Sequence, residues 1–199
     1  MARPRSFDQQ RVIEAVRDQF WSAGYAGTSL DDLMRVSRLG KGSLYGAFGD
    51  KRQLFLEALR SYADETHRAL REAIAGAPRA LDALRAIVTS PVADPTGEAA
   101  RRGCLMANST CELASGDADV RAQAQYTFDT MTALIADGVA RAQREGDVPG
   151  DADPTALARA VLAALEGVTF LGRTGMDIDT LVATARSLAD HLLPYPATD

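Results

Sequence analysis

Apolar and polar residues alternate with a helical period along almost the whole of this chain. In the first segment, over about residues 8–23, apolar residues recur at spacings of three and four and so share one helix face: Val12, Ile13, Val16, Phe20 and Ala23. No segment shows the two-residue alternation of a β-strand. The pattern therefore predicts an all-α protein of about nine or ten helices.

Two short helices separated by a tight turn are predicted next. Ser29 is a good N-cap for the first, and Asp32 stands where its carboxylate completes a capping box. Gly40 breaks the chain, residues 41–48 form the second short helix, and Asp50 caps a longer one. Short paired helices flanked by longer ones form a helix-turn-helix, so we predict a DNA-binding domain over residues 1–50.

The remainder, residues 51–199, is predicted to be a helical domain for ligand binding and dimerisation. Its clearest start signals are Asp153 before Pro154, and Asp177 before the last apolar stripe. The segment around Pro91 and Gly97 is expected to be a loop.

The distribution of charge modifies this picture. The net charge of −5 by itself argues against a nucleic-acid partner. Residues 1–60, however, hold ten Lys and Arg against seven Asp and Glu, a balance of +3, whereas the remaining residues balance at −8. Any surface that faces DNA must therefore be concentrated near the N-terminus.

The candidate DNA contacts centre on the second short helix, because the second helix of such a pair enters the major groove by its N-terminal end. Lys41 offers a cation, Ser43 a hydroxyl, and Gly42 allows close approach of the backbone. Tyr45 is either a phosphate contact or a half-buried core tyrosine. Further phosphate contacts are predicted in the flanking segments, where the arginines form an arm or only a solvated tail: Thr28, Ser29, Lys51, Arg3 and Arg5.

Residues 24–55 resemble the signature of the TetR/AcrR family of repressors. The matching positions are Gly24, Tyr25, Thr28, Leu33, Lys41, Gly42, Leu44, Tyr45, Phe48, Lys51, Leu54 and Phe55. The resemblance implies a repressor that binds a near-palindromic double-stranded operator as a homodimer. It also implies that a small effector in the C-terminal domain releases the repressor from DNA.

Two positions depart from the family pattern. Arg38 stands where the turn usually has glycine, so it must either adopt a left-handed backbone or shift the turn. Ala47 replaces a residue that commonly contacts phosphate. Affinity for DNA is therefore expected to depend more on Tyr45, Lys51 and the arginine arm.

The last two helices are the predicted dimer interface. Their apolar stripes could pack as a four-helix bundle across a two-fold axis, or bury within one subunit: Val161, Leu165, Val168, Ile178, Leu181, Leu188 and Leu192. Adaptable and aromatic residues are expected to line the effector pocket, or simply to belong to the core: Cys104, Met106, Cys111, Tyr126, Phe128, Met131 and Phe170.

The two cysteines present a separate possibility. On one helix, residues seven apart lie about 10.5 Å from each other, which is too far for a disulfide. Arg101 and Arg102 precede Cys104 and can favour its thiolate. An alternative function is therefore a repressor that senses electrophiles or oxidants through Cys104; otherwise the cysteine is a small buried apolar residue.

Other function classes find little support in the sequence. The two histidines, His67 and His191, lie outside metal or triad spacings, and there is no phosphate-binding glycine loop, so we expect no enzyme, metal or cofactor. No signal peptide and no uninterrupted apolar run of about 18 residues is present, so we expect a cytoplasmic protein without a membrane span. A helical interaction module that does not bind DNA is the remaining alternative.

Overall fold

The computed structural model describes residues 7–94 and 96–196, and all regular structure in these residues is helical. The all-α prediction is therefore confirmed. A 3₁₀ turn, Ser90–Val92, lies between the fifth and sixth of the ten α-helices found in these described residues. The helices are α1 Gln9–Ala23, α2 Leu30–Ser37, α3 Lys41–Phe48, α4 Lys51–Gly76, α5 Ala80–Thr89, α6 Glu98–Arg102, α7 Leu105–Leu113, α8 Ala118–Glu145, α9 Pro154–Arg173 and α10 Ile178–Leu192.

Side-chain caps fix several of the predicted helix starts. Asp8 accepts the backbone N–H groups of residues 10 and 11, and Ser29 forms the predicted capping box with Asp32. Asp153 and Asp177 likewise accept N–H groups at the starts of α9 and α10. These groups would otherwise lack a partner in the first helical turn, which is why short polar residues mark the boundaries.

The sequence pattern predicts no element over residues 98–102, which follow the expected loop at Pro91 and Gly97, and the structure forms the short helix α6 there. The Asp94 carboxylate accepts N–H groups from Thr96, Glu98 and Ala99 at 2.9, 3.1 and 3.2 Å. Gly97 adopts a left-handed φ of 68° directly before the helix. The carboxylate thus supplies the partners that the first turn lacks, and a five-residue helix forms where glycine and proline suggest none.

The chain divides into two compact units whose bounds differ from the predicted division at residue 50. The N-terminal unit contains the described residues up to Glu65 together with Leu105–Ala124. The C-terminal unit contains Thr66–Cys104 and the described residues from Gln125 onward. Helices α4 and α8 therefore each contribute residues to both units.

An aromatic cluster lies in the core of the N-terminal unit. Phe20 of α1 meets Phe55 of α4 edge to face at 4.9 Å, and the ring of Tyr25 lies 4.9 Å from Phe55. Phe20 and Phe55 are each 1% exposed. Burial of a large aromatic ring stabilises a fold by about 1.5–3 kcal/mol, so this cluster joins the two longer helices that flank α2 and α3.

The C-terminal unit has an apolar core drawn mainly from α5, α8, α9 and α10. A smaller cluster joins α6, α9 and α10 through Ala100, Val168 and Leu181. Gly172 allows the close approach of α9 to α6, because a Cβ there would lie 2.7 Å from the Cβ of Ala100.

The predicted dimer stripe requires correction. Val161 and Val168 are fully buried, and Leu181 is 1% exposed, all inside the core of a single chain. The helical period identified residues that share a face, but that face packs against the chain's own α-helices. Leu165, Ile178, Leu188 and Leu192 remain partly exposed.

Helix α9 nevertheless presents a second, unburied apolar face. Ala163, Gly167 and Phe170 are exposed at helical spacing, and Phe170 is 63% exposed. By length and composition alone, α9 is apolar enough to cross a membrane, although Arg159 and Glu166 interrupt it. Only 28% of its apolar window is buried within the chain.

Candidate nucleic-acid interface

Helix α3 offers a polar end that no side chain caps. Leu44 is its buried residue, whereas Lys41, Gly42 and Ser43 are exposed. Gly40 precedes the helix without a capping side chain, and the first turn contains no carboxylate. The N–H groups at this end therefore point to solvent with the positive end of the helix dipole, an arrangement that favours an anion such as phosphate.

Glycines keep the surface around this end open. A Cβ placed on Gly40, Gly42 or Gly46 would meet no atom within 4 Å. A bulky ligand can therefore approach the backbone of α3 closely, as Gly42 was predicted to permit. Tyr45 is half-buried, an exposure that fits both of the roles predicted for it, a phosphate contact and a half-buried core tyrosine.

Lys51, the first residue of α4, carries its charge beside an aromatic ring. Its Nζ lies 4.3 Å from the centroid of the Tyr25 ring, a favourable cation–π distance. Burial, followed by the negative charge of Asp50, raises the pKa of Tyr25, so the phenol stays neutral. The ring thereby holds a positive charge at the N-terminus of α4.

Thr28 is not available as a DNA contact in this structure. It is fully buried, and its hydroxyl donates a hydrogen bond to the carbonyl of Gly24 at 2.7 Å. The residue instead stabilises the turn between α1 and α2. The sequence pattern could not distinguish these roles, because a threonine at the start of a helix can serve either.

Ser29 is exposed, but its hydroxyl is also occupied. It donates to Asp32 Oδ2 at 2.6 Å and accepts from the Asp32 N–H at 3.1 Å. The hydrogen bonds that the Ser29 hydroxyl and backbone N–H donate to the carboxylate, followed by one from Arg35, lower the pKa of Asp32 to about 2. A phosphate approaching the start of α2 would meet this ionised carboxylate, so α2 is a poor anion site compared with α3.

The remaining predicted positions are the N-terminal arginine arm and the turn between α2 and α3. Arg3 and Arg5 lie outside the described residues. Arg38 adopts the left-handed conformation, with φ 56° and ψ 27°. The turn therefore accommodates arginine at the glycine position without changing its backbone type.

Within the N-terminal unit, α7 makes a contact with the turn after α1 that the sequence did not predict. The carboxylate of Glu112 accepts the N–H groups of Tyr25 at 3.0 Å and Ala26 at 2.7 Å. These are backbone groups of the turn that follows α1. Because 87 residues separate Glu112 from Tyr25, no local pattern signals this pairing.

A second such contact anchors the start of α4. Arg52 donates two hydrogen bonds of 2.9 Å to the carboxylate of Asp117, and a third of 2.6 Å to Asp119. The hydrogen bonds from Arg52 hold the pKa of Asp117 below its ordinary value. Both acidic residues lie at the start of α8, so residues 105–124 hold the turn after α1 and the start of α4 in place.

The predicted pocket residues do not share one environment. Phe128 and Met131 belong to the core of the C-terminal unit, whereas Tyr126 is 60% exposed and Phe170 63% exposed. Met106 is fully buried and Cys111 is exposed. Beside Tyr126, the buried His67 donates through Nε2 to the carbonyl of Thr127 at 3.0 Å.

The two cysteines are free thiols, as their spacing predicted. Cys104 is buried directly before α7, and its thiol forms a hydrogen bond with the Glu166 carboxyl of α9. Burial raises the pKa of Glu166, and the bond from Cys104 opposes this to a smaller extent. Among the described residues, no group of three or more His, Cys, Asp or Glu is placed to bind a metal ion.

Comparisons with known families place both parts of the chain among bacterial regulators. Residues 12–58 match the family described as bacterial regulatory proteins, tetR family. Residues 80–188, more than half of the chain, match the tetracyclin repressor-like C-terminal domain. The two matches cover α3 and the unburied face of α9, respectively.

Individual relatives agree with these matches. The chain is 29% identical to the uncharacterised HTH-type transcriptional regulator YezE of Bacillus subtilis, over 91% of this chain and 94% of the relative. It is 27% identical to the transcriptional regulator AcuR of Cereibacter sphaeroides, over 94% and 86%. A solved cysteine mutant of CifR, bound to 26-base-pair operator DNA, is similar with a TM-score of 0.80 at 28% identity, covering 98% of this chain and all of CifR's.

The ion pair between Arg52 and Asp117 gives a prediction about pH. Because the folded-state pKa of Asp117 is lowered, its stabilisation is complete above about pH 5 and is lost as the pH falls through that pKa. Asp117→Asn should therefore lower the melting temperature by about 2–4 °C at pH 7, as expected for about 1 kcal/mol, and by little near pH 2. Thermal unfolding at several pH values measures this difference.

Asp129→Asn is the matched control, since Asp129 is exposed on α8. It should leave the melting temperature within experimental error at both pH values. An effect of Asp117→Asn that is equal at pH 7 and pH 2 would contradict an ionic origin.

Proposed function

Because this chain belongs to the tetR family of bacterial regulatory proteins, we propose that it is a cytoplasmic transcriptional repressor that binds a palindromic operator as a homodimer. The N-terminal end of α3 enters the major groove, and a small effector bound in the C-terminal unit releases the DNA. The observation that carries this proposal is the uncapped start of α3, exposed and free of carboxylates.

The electrostatics of neighbouring helices support this choice of DNA-reading element. At α2 the carboxylate of Asp32 already occupies the positive end of the helix, whereas α3 leaves its own end open. Lys41 and Ser43 supply a cation and a hydroxyl there, and Lys51 adds a second cation at the start of α4. Such groups position a protein on the phosphate backbone and reach base edges.

Release by an effector requires that the ligand favour a conformation with lower operator affinity. A coupling of roughly 1–3 kcal/mol changes affinity about 5–150-fold, and DNA must weaken effector binding by the same factor. This coupling can pass through contacts that hold the N-terminal unit together, namely the hydrogen bonds of Glu112 and the ion pair of Arg52 with Asp117. Helix α7 follows Cys104 directly along the chain and holds the turn after α1, so a displaced α7 would release that turn.

Dimerisation is proposed through the unburied face of α9 rather than through its buried stripe. Ala163, Gly167 and Phe170 form a contiguous apolar surface on a helix that the chain itself covers only in part. Small residues allow a second helix to approach closely, and a two-fold axis places the same face on both subunits. Leu165 and Leu188 of the predicted stripe pack against the chain's own core and are not part of this face.

Removal of single DNA contacts tests the proposed reading surface. Lys41→Ala and Tyr45→Phe should each weaken binding to the chain's own upstream DNA about tenfold, the effect of one lost charged hydrogen bond. Gel shifts at several salt concentrations measure both affinity and its salt dependence. Arg71→Ala, on an exposed face of α4, should leave binding unchanged. Wild-type affinity in both variants would overturn the assignment of α3.

Introduced charges test the dimer surface. Ala163→Glu and Phe170→Glu should each convert a dimer into a 21.2 kDa monomer, because a carboxylate cannot be buried against its own copy without a partner. Sedimentation equilibrium measures the mass. Ala86→Glu, on an exposed position of α5, is the matched control and should remain dimeric. If all three variants sediment alike, the α9 face is not the interface.

A thiol-based sensor is the second candidate function, and the hydrogen bond between Cys104 and Glu166 favours it. The Glu166 carboxylate can take the thiol proton while the sulfur adds to a carbon–carbon double bond of a quinone. The carbon–sulfur bond forms as the π bond breaks, its electron pair moves to the conjugated carbonyl oxygen, and that oxygen takes a proton from solvent. Effector binding without covalent chemistry remains the first candidate.

Treatment with benzoquinone distinguishes the two candidates. If Cys104 is the sensor, the quinone should release wild-type protein from DNA, and Cys104→Ser should remain bound. Cys111→Ser is the control, because this exposed thiol should not govern release. Gel shifts before and after treatment measure the response. Equal release of wild type and Cys104→Ser would show that the thiol is structural.

A further inference from the structure

A groove of about 340 Å³ borders the turn between α2 and α3. Arg11 of α1 and Arg38 of the turn line it together with Asp8, Phe7 and apolar residues of α1 and α2. The Phe7 ring lies 6.3 Å from that of Phe48, the last residue of α3. Arg38 stands three positions before Lys41, the first residue of α3. The groove therefore lies beside the DNA-reading helix.

Arg38 occupies a backbone position that glycine would fit better. Among the described residues it is the one non-glycine residue with a positive φ, at 56°. The turn does not need its side chain, since the Ser37 hydroxyl accepts the N–H of Leu39 at 3.3 Å and donates to the carbonyl of Met34. An arginine at a strained backbone position, whose side chain the turn does not use, points to a role outside the fold.

The positive charge of Arg38 is also not neutralised by a described carboxylate. Its side chain is exposed and forms no described hydrogen bond or ion pair, whereas Arg11 pairs with Asp8 at 3.5 Å. The Asp8 carboxylate further accepts the N–H groups of Gln10 and Arg11. Two guanidinium groups against one carboxylate leave the groove with a net positive charge, supplied mainly by Arg38.

We infer that this groove binds a phosphate of the DNA backbone next to the major groove that α3 enters, with Arg38 as its main ligand and Arg11 as the second. A guanidinium group matches phosphate with two parallel hydrogen bonds. The inference rests on the proposed function, and it adds a contact at the position where the family usually has glycine. The groove thereby offsets the phosphate contact that Ala47 removes.

Two substitutions separate the charge of Arg38 from its backbone strain. Arg38→Ala removes the charge and keeps a side chain with a Cβ, whereas Arg38→Gly removes both the charge and the strain. Both should weaken binding to the upstream duplex and to a random-sequence duplex of equal length by the same factor, about tenfold. Arg38→Gly should at the same time raise the melting temperature by about 2–4 °C.

The salt dependence of binding identifies the contact as a phosphate contact. Each phosphate contact contributes about 0.9 to the slope of log K against log salt, so both variants should flatten this slope. Arg38→Lys should keep most of the slope, because it keeps the charge. Arg60→Ala, which removes a charge from the exposed face of α4, is the control and should bind as wild type.

Removing the charge of the Asp8 carboxylate should change DNA affinity in the opposite direction to the Arg38 substitutions. Asp8→Asn keeps a good N-cap for α1 but removes the negative charge from the groove, so it should bind both duplexes severalfold more tightly. Wild-type affinity and slope in both Arg38→Ala and Arg38→Gly would overturn the inference while leaving the proposed function intact. If wild type binds neither duplex, the proposed function fails and this inference fails with it.

Discussion

The position of α3 depends on contacts made by its neighbours, because the helix buries little of its own surface. Leu44 is its buried side chain, and the polar end that faces solvent carries no cap. The aromatic cluster of Phe20, Tyr25 and Phe55 joins α1 to α4, and so fixes the two helices between which α2 and α3 are held. Glu112 then fixes the turn after α1. A helix supported in this way can leave most of its surface to a ligand.

Adjacent helices of the N-terminal unit use their positive ends in opposite ways. Helix α2 satisfies its first N–H groups with Ser29 and neutralises its dipole with the ionised Asp32. Helix α3 begins after Gly40 and does neither. Capping stabilises a helix by about 1 kcal/mol, so its omission at α3 costs stability. That omission leaves one helix end in this pair able to accept a phosphate, and this asymmetry supports the assignment of α3 as the DNA-reading helix.

Local signals in the sequence predicted most helix boundaries, since capping residues and helix-ending glycines act over a few positions. The sequence did not predict contacts between distant residues, such as Glu112 with Tyr25 or Arg52 with Asp117, because no short pattern encodes them. It also could not tell which apolar face of α9 the chain covers. The stripe through Val161 and Val168 is buried in the chain's own core, whereas Gly167 and Phe170 remain exposed. At the candidate site, the sequence likewise could not predict that Thr28 is buried. Only the burial of its side chain distinguishes a hydroxyl in the core from one that contacts DNA.

The proposed function requires DNA to occupy the N-terminal end of α3. Hydrogen–deuterium exchange, measured by mass spectrometry with and without the upstream duplex, tests it directly, because bound phosphate and base edges shield the backbone amides they contact. We expect slower exchange in residues 40–48 on addition of DNA and unchanged exchange in the central part of α8. Protection confined to α8, with none in residues 40–48, would contradict it.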